Sequence, residues 1–267
     1  MVFDFPAIAR RIAFRGIIGD LIDDQRNFDM VPAYRERVVA NYETTLPLLD
    51  IAFTNCTPLA EAFAGMMRHI EMVPNGTELA PAATKPLPAA FAMMRRPVAG
   101  YVGNLRDRID WTLLRDTARL MPNVTFAIVG GGARDRDLAL VDGIPNIVFT
   151  GVVAYDRVLA CIQSFDVALV LHTRDALTDR MNPLKIYNSF AARRPIVSTA
   201  IDNVDEGIKP FMRFASNPAE FAAAITSSLD LEPQSNGDYD AVLASITWES
   251  RIACILAAMD ATPGLLP

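Results

Sequence analysis

Histidine and cysteine are scarce in this chain of 267 residues, which has two of the first and three of the second. His69 and His172 lie far apart and share no motif, so a histidine-based metal site is not expected. Cys56, Cys161 and Cys254 show no CxxC spacing, and no zinc framework fits them. They read as reduced, mostly buried thiols of a cytosolic protein. Net positive charge is lacking as well. The chain carries 25 Lys and Arg against 31 Asp and Glu, a net −6. That balance argues against sequence-independent nucleic-acid binding, which needs clustered positive charge. No apolar run approaches the roughly 20 residues that span a bilayer, so any membrane association is peripheral. Asp4, Arg10, Arg11 and Arg15 interrupt the N-terminal apolar stretches, so no signal peptide is expected.

What is present is a globular composition, 51% hydrophobic and 21% charged. The length suits one large α/β domain or one and a half smaller ones. From residue 97 onward, short apolar runs alternate with amphipathic stretches. The runs span 97–102, 124–129, 147–150, 167–171, 195–199 and 211–215. Each is too short for a helix, rich in β-branched residues and nearly continuously apolar, as strands buried on both faces of a parallel sheet are. Helices are predicted over 111–120, 134–141, 155–164, 183–192 and 218–229. The alternation predicts a doubly wound α/β domain. Ahead of it, strands are predicted at 16–21 and 50–54, helices at 31–48 and 58–69, and a short strand at 72–76. Residues 79–96, rich in Pro and Ala, read as a linker. A final helix is predicted over 247–259. The boundaries are therefore 1–78 for a partial N-terminal domain, 79–96 for the linker, 97–246 for a complete C-terminal domain, and 247–267 for the terminal helix.

In open parallel sheets, ligands sit beyond the carboxyl ends of the strands. There the sequence places Gly103-Asn104-Leu105-Arg106, Gly130-Gly131-Gly132, Gly151-Val152-Val153, and a long loop from His172 to Asn182. With only 14 glycines in the chain, glycine at three of these ends is notable. Glycine lets backbone N–H groups approach an anion, and helix N-termini add positive potential. Arg106 and Lys185 could neutralise a diphosphate. Each feature also has a plain structural reading. The glycines can simply end strands, and Lys185 can be a solvated helix residue. Asn182 before Pro183 reads as an N-cap followed by an N1 proline, and His172 as a loop residue. Asp20, Asp23 and Asp24 read as either a carboxylate cluster or a solvated loop. Phe63 to Met67, with Met93 and Met94, reads as core or linker packing. No GxGxxG follows any strand.

The ordered set Val73-Pro74-Asn75-Gly76, Gly100-Tyr101-Val102-Gly103, Pro122-Asn123-Val124 and Pro145-Asn146-Ile147-Val148-Phe149-Thr150-Gly151 resembles the nucleotide-sugar glycosyltransferases of the GT-B fold. So does Asp166-Val167-Ala168-Leu169. The stretch Asn182-Pro183-Leu184-Lys185-Ile186-Tyr187, with Ala191-Ala192 and Pro195-Ile196-Val197, resembles the SPLKxYEYLAxGKPVV segment of bacterial exopolysaccharide and teichuronic-type transferases. The resemblance implies two Rossmann-like domains facing a cleft, the C-terminal one complete and the N-terminal one partial. The terminal helix at Trp248 would cross back to the N-terminal domain. By position, Gly103, Asn104 and Arg106 would line the phosphates, with Gly131, at the next strand end, a further nucleotide-binding candidate. Val152 and Val153 would lie along the base, and Met181, Asn182, Lys185 and Asn188 would approach the diphosphate and ribose. Asn188 stands where the family has Glu, and Arg180 where related transferases have a first Glu. Arg193 stands where the family has Gly, so its side chain would crowd the turn.

The implied function is transfer of a sugar from a UDP- or GDP-sugar to a glycan or lipid-linked acceptor in cell-surface polysaccharide synthesis. It would need no metal or cofactor and would take place in the cytoplasm or at the inner membrane face. The family's N-terminal domain normally runs longer before a YDxxDD segment, which Gly19-Asp20-Leu21-Ile22-Asp23-Asp24 resembles. The alternative is accordingly a non-catalytic nucleotide-sugar-binding remnant or partner subunit. An epimerase of the same fold is a third reading. No catalytic residue is nominated.

Overall fold

The computed structural model describes residues 5–9, 11–79, 87, 89–106, 108–231 and 237–265. In chain order it contains α1 (Phe5–Ala9), β1 (Ile18–Leu21), α2 (Pro32–Thr45), β2 (Ile51–Thr54), α3 (Thr57–Phe63), β3 (Ile70–Met72) and α4 (Ala89–Ala92). There follow β4 (Val98–Val102), α5 (Trp111–Leu120), β5 (Thr125–Val129), α6 (Asp135–Leu138), β6 (Ile147–Gly151), α7 (Tyr155–Gln163) and β7 (Val167–Val170). The chain closes with α8 (Leu184–Ala191), β8 (Ile196–Ser198), β9 (Met212–Phe214), α9 (Pro218–Leu229), α10 (Gly237–Ser245) and α11 (Trp248–Ala261). It divides into two compact units. One comprises Met1–Asn75, Arg174–Asn182 and Trp248–Pro267, and the other Gly76–Thr173 and Pro183–Thr247. The segment Arg174–Asn182 thus clusters with the first unit, although the sequence reading places it inside 97–246. Pro81, Pro86 and Pro88 of the predicted linker lie outside the described residues.

In the first unit β1, β2 and β3 form a parallel sheet in sequence order, with Ile18 opposite Ile51 and Ala52 opposite Ile70. Side chains alternate across it. Leu21 and Ala52 join Tyr42, Leu46 and Phe63 of the α2 and α3 side, whereas Ile51 and Phe53 pack with Ile255 and Met259 of α11. Tyr42 and Phe63 stack with centroids 5.1 Å apart. Phe63, Met66 and Met67 therefore belong to a core, while Met93 is 87% exposed.

The second unit is a six-stranded parallel sheet in the order β6-β5-β4-β7-β8-β9. Numbered from β4, that is 3-2-1-4-5-6, the doubly wound arrangement. One face, with Tyr101, Phe126, Ile128 and Leu169, packs on α5 and α9 through Leu114, Phe221 and Ile225. The other face packs on α7, α8 and α10. Burial on both sides explains why the inner strands β4, β5, β7 and β8 are almost wholly apolar, whereas the edge strands β6 and β9 are more exposed. Polar residues set the ends. Asp110 caps α5 by accepting from Leu113 N–H at 2.8 Å. Asn217 caps α9 by accepting from Glu220 N–H at 3.0 Å, and Glu220 accepts from Ser216 N–H at 2.8 Å. Asp166 Oδ2 accepts from Val98 N–H at 2.6 Å, fixing the start of β4.

Several predicted elements need correction. The helix expected over 134–141 is the single turn α6. Val141 still reaches the core, but Gly143, at φ 71°, turns the chain straight after it. The strand expected at 72–76 lies at Ile70–Met72, where it pairs with β2, and Pro74 has no N–H to extend that ladder. The helices expected over 31–48 and 58–69 end at Thr45 and Phe63. Helix α10 was not predicted, yet Tyr239 and Leu243, four apart on one face, fill the core beside Phe190. Arg193 adopts a left-handed φ of 55° rather than crowding the turn. Its guanidinium pairs with Asp240 and lies 5.2 Å from the Tyr239 ring centre.

Candidate functional site

The strand order places a topological switch point between β4 and β7 of the second unit, where ligands of doubly wound sheets bind. The loops that leave β4, β5 and β6 are joined backbone to backbone there. Gly103 N–H donates to Val129 O at 3.0 Å, Leu105 N–H to Gly131 O at 3.0 Å, and Gly130 N–H to Gly151 O at 2.9 Å. Only glycine fits at position 130: its φ is 144°, and a Cβ would stand 1.9 Å from Gly103 O. The Gly103 to Arg106 loop is a side-chain-closed turn, in which Asn104 Oδ1 accepts from Arg106 N–H at 2.9 Å. Asn104 and Arg106 themselves are exposed, with Gly132 facing both.

Lys185, in the first turn of α8, extends to this crevice rather than to solvent. Its Nζ donates to Tyr101 Oη at 2.8 Å and lies 2.8 Å from His172 Nε2. Tyr101 Oη in turn donates to Asn104 O at 3.1 Å, so a short relay joins the lysine to the β4 loop. A Cβ added at Gly103 would meet Lys185 Nζ at 3.4 Å. Burial, and secondly the charge of Arg108, push the Lys185 ammonium down to about 7. His172 is 1% exposed. Burial, then the charges of Lys185 and Arg108, hold its ring well below the ordinary value and therefore neutral. With Nε2 accepting from the lysine, Nδ1 carries the proton, and that atom is buried without a hydrogen-bond partner among the described residues.

The remaining predicted residues fall in different surroundings. Val152 is 79% exposed and would touch a Cβ at Gly131, at 2.7 Å. Val153 is half-buried against the cluster around Ala127 and Cys161. Asn188, a turn beyond Lys185 on α8, accepts from Thr77 Oγ1 at 3.1 Å. Met181 and Asn182 are buried and cluster with the first unit. The N-cap reading of Asn182 is overturned: Pro183 is the cap residue, and α8 starts at Leu184 without a side-chain cap. Asn182 is engaged elsewhere. Its Oδ1 accepts from Asn75 N–H at 3.0 Å, and its carbonyl accepts from Asn75 Nδ2 at 2.6 Å. Thus Gly103, Asn104, Arg106, Gly131, Val152 and Lys185 gather around the strand ends. Sequence reading missed Tyr101 and treated His172 as a loop residue, whereas it is buried. One available signal for Tyr101 was a hydroxyl one residue from the end of an otherwise apolar strand.

In the first unit the carboxylates of 20–24 neither form one cluster nor face solvent together. Asp24 is buried and pairs with Arg26 at 2.7 Å and Arg180 at 2.9 Å. Burial works to raise its carboxyl, but the hydrogen bond and charge of Arg26, with the charge of Arg180, outweigh this and hold it low. Asp20 lies on a cavity of about 430 Å³ between β1 and α2, lined by Leu21, Phe28, Tyr42 and Leu46 among others. Partial burial raises its carboxyl.

Residues 96–230 match the family model of the glycosyl transferases group 1, so the chain belongs to that family. It is 25% identical over 146 residues to the putative teichuronic acid biosynthesis glycosyltransferase TuaH of Bacillus subtilis, a match covering 53% of this chain and 36% of that protein. The chain therefore matches only about a third of that relative's length. HepE of Anabaena, solved with UDP and glucose, superposes with a TM-score of 0.67 at 17% identity, over 96% of this chain and 75% of that one. WaaG, a glycosyltransferase of lipopolysaccharide biosynthesis, superposes with a TM-score of 0.63 at 13% identity, over 92% and 75%. The fold is α/β of the GT-B type. Among the described residues no helix is long and apolar enough to cross a membrane.

Proposed function

We propose that this chain is a glycosyltransferase that takes a sugar from a UDP- or GDP-sugar and passes it to a glycan or lipid-linked acceptor in surface-polysaccharide synthesis. The observation that carries this reading is the placement of Lys185 Nζ at the glycine-lined carboxyl end of β4, at the switch point of the sheet. A nucleoside diphosphate fits that chemistry. Its phosphates would meet the backbone of Gly103, Asn104 and Gly131 and the cations Lys185 and Arg106, while exposed Val152 would lie along the base. HepE is described in complex with UDP-glucose, which supports this class of donor.

In the transfer step an acceptor hydroxyl oxygen bonds to the anomeric carbon as the bond from that carbon to the diphosphate breaks. The hydroxyl gives up its proton to the released diphosphate or to water, and charge builds on the leaving oxygen. Lys185 and Arg106 would offset that charge electrostatically, without a cofactor. Lys185, brought to about 7 by burial and Arg108, would take up a proton as the diphosphate enters, because a nearby anion favours the charged form. The role of Asn188 would be to hydrogen-bond the ribose without contributing charge.

Calorimetric titration with UDP and GDP tests the reading. Binding of one of them, abolished by Lys185→Ala, is the expected result. Failure of both nucleotides to bind at millimolar concentration would overturn it.

A further inference from the structure

We propose that His172 and Tyr101 are positioning residues for Lys185: between them they take two of its three N–H bonds and hold the third for a phosphate oxygen. This rests on the donor reading above.

Three observations carry it. The two contacts are both 2.8 Å, and the partners come from neighbouring strands, Tyr101 within β4 and His172 just after β7. Tyr101 is a fully buried residue of β4, and its hydroxyl is already committed as a donor to Asn104 O, so it can only accept from the lysine. His172 follows β7 and is joined to the rest of the unit by a bridge with Ile109. The third observation is the buried, unpartnered Nδ1 of His172. An unmade hydrogen bond on a buried atom is costly, and a merely space-filling residue would avoid it. The ring is retained with its Nε2 on the lysine.

The consequence is a lysine with little rotamer freedom left to lose when a ligand arrives. A flexible lysine would forfeit much of its contribution in side-chain entropy. Among the described residues, the charged and titratable groups that act on the pair are Lys185 itself, Tyr101 and Arg108. Arg108 opposes charge on both Lys185 and His172. Both acceptors favour the ammonium form, because hydrogen bonds to the charged state stabilise it.

The test compares His172→Phe, His172→Gln, Tyr101→Phe and Lys185→Ala in the full chain. It uses two readouts: the Lys185 titration followed by Nζ-detected NMR without ligand, and UDP and GDP affinity from pH 6 to 9. His172→Phe should lower the Lys185 midpoint and weaken nucleotide binding about tenfold, the value of one hydrogen bond to a charged group. The loss should grow with pH. His172→Gln, whose amide oxygen can accept, should restore much of both, and Tyr101→Phe should resemble His172→Phe. Unchanged midpoint and affinity in folded His172→Phe and Tyr101→Phe would overturn the assignment. So would equal losses in His172→Phe and His172→Gln. If the midpoint shifts as expected while the wild type binds no nucleotide, the pair positions the lysine and the donor reading fails instead.

Discussion

Replacing Lys185 by Met should make the protein more stable near neutral pH while removing nucleotide binding. An ordinary lysine titrates at 10.5, and burial with Arg108 brings Lys185 to about 7. Between those values the unfolded chain binds a proton that the folded one does not. Stability therefore rises with pH across this window, by at most about 1.4 kcal/mol per pH unit. Below pH 7 the folded state bears the full cost, which reaches about 5 kcal/mol before solvent relaxation reduces it. Methionine of similar length has no such cost. It does leave His172 Nε2 without its donor, worth about 1–3 kcal/mol. The two effects oppose each other and differ in pH dependence. Lys185→Met should be more stable than wild type by a few kcal/mol at pH 7 and less stable near pH 10. Urea unfolding at pH 7, 8, 9 and 10 measures this, and it avoids the lower range where His172 also titrates. A difference between variant and wild type that stays flat across that range would refute a depressed, buried Lys185.

Other expectations follow from the same geometry. Gly130→Ala should destabilise by about 3 kcal/mol or more, because its Cβ would lie 1.9 Å from Gly103 O at an unfavourable φ; thermal unfolding reads this. Asp24→Asn should cost about 3 kcal/mol by leaving Arg26 and Arg180 without their buried carboxylate. Because the Asp24 carboxyl is held below its ordinary 3.8, its contribution is present above that value. It is lost as pH falls through the depressed value, so variant and wild type should converge in acid unfolding. Arg193→Gly should change stability by less than about 1 kcal/mol. Relief of the left-handed backbone offsets loss of the exposed Asp240 pair, and a large loss in denaturant midpoint would contradict that balance.

The sheet of the second unit was legible in the sequence because burial on both faces makes its inner strands β4, β5, β7 and β8 stand out as short apolar runs between amphipathic helices. Asn146, read within a family segment, shows what such a motif does locally: its Nδ2 lies 3.0 Å from the carbonyls of Ala118, Met121 and Val124, joining the end of α5 to the start of β5. The glycines at the strand ends were legible as well, since close backbone approach leaves no alternative residue. What was not legible depends on contacts between distant positions. His172 lies thirteen residues from Lys185 and Tyr101 eighty-four, so no local pattern joins the three. Asn182 matched the sequence form of an N-cap, yet its side chain is taken by Asn75, 107 positions away. The Asp20 to Asp24 run looked like one group, but Arg26 and Arg180 take Asp24, while Asp20 and Asp23 line the cavity beside β1.

On this reading a nucleoside diphosphate binds at the carboxyl ends of β4 and β7. The most direct measurement is an amide chemical-shift map during titration with UDP or GDP. Shifts should concentrate at 103–106, 130–132, 172–173 and 184–188. Shifts confined to the 18–28 cavity segment of the first unit, or no shifts at saturating nucleotide, would contradict it.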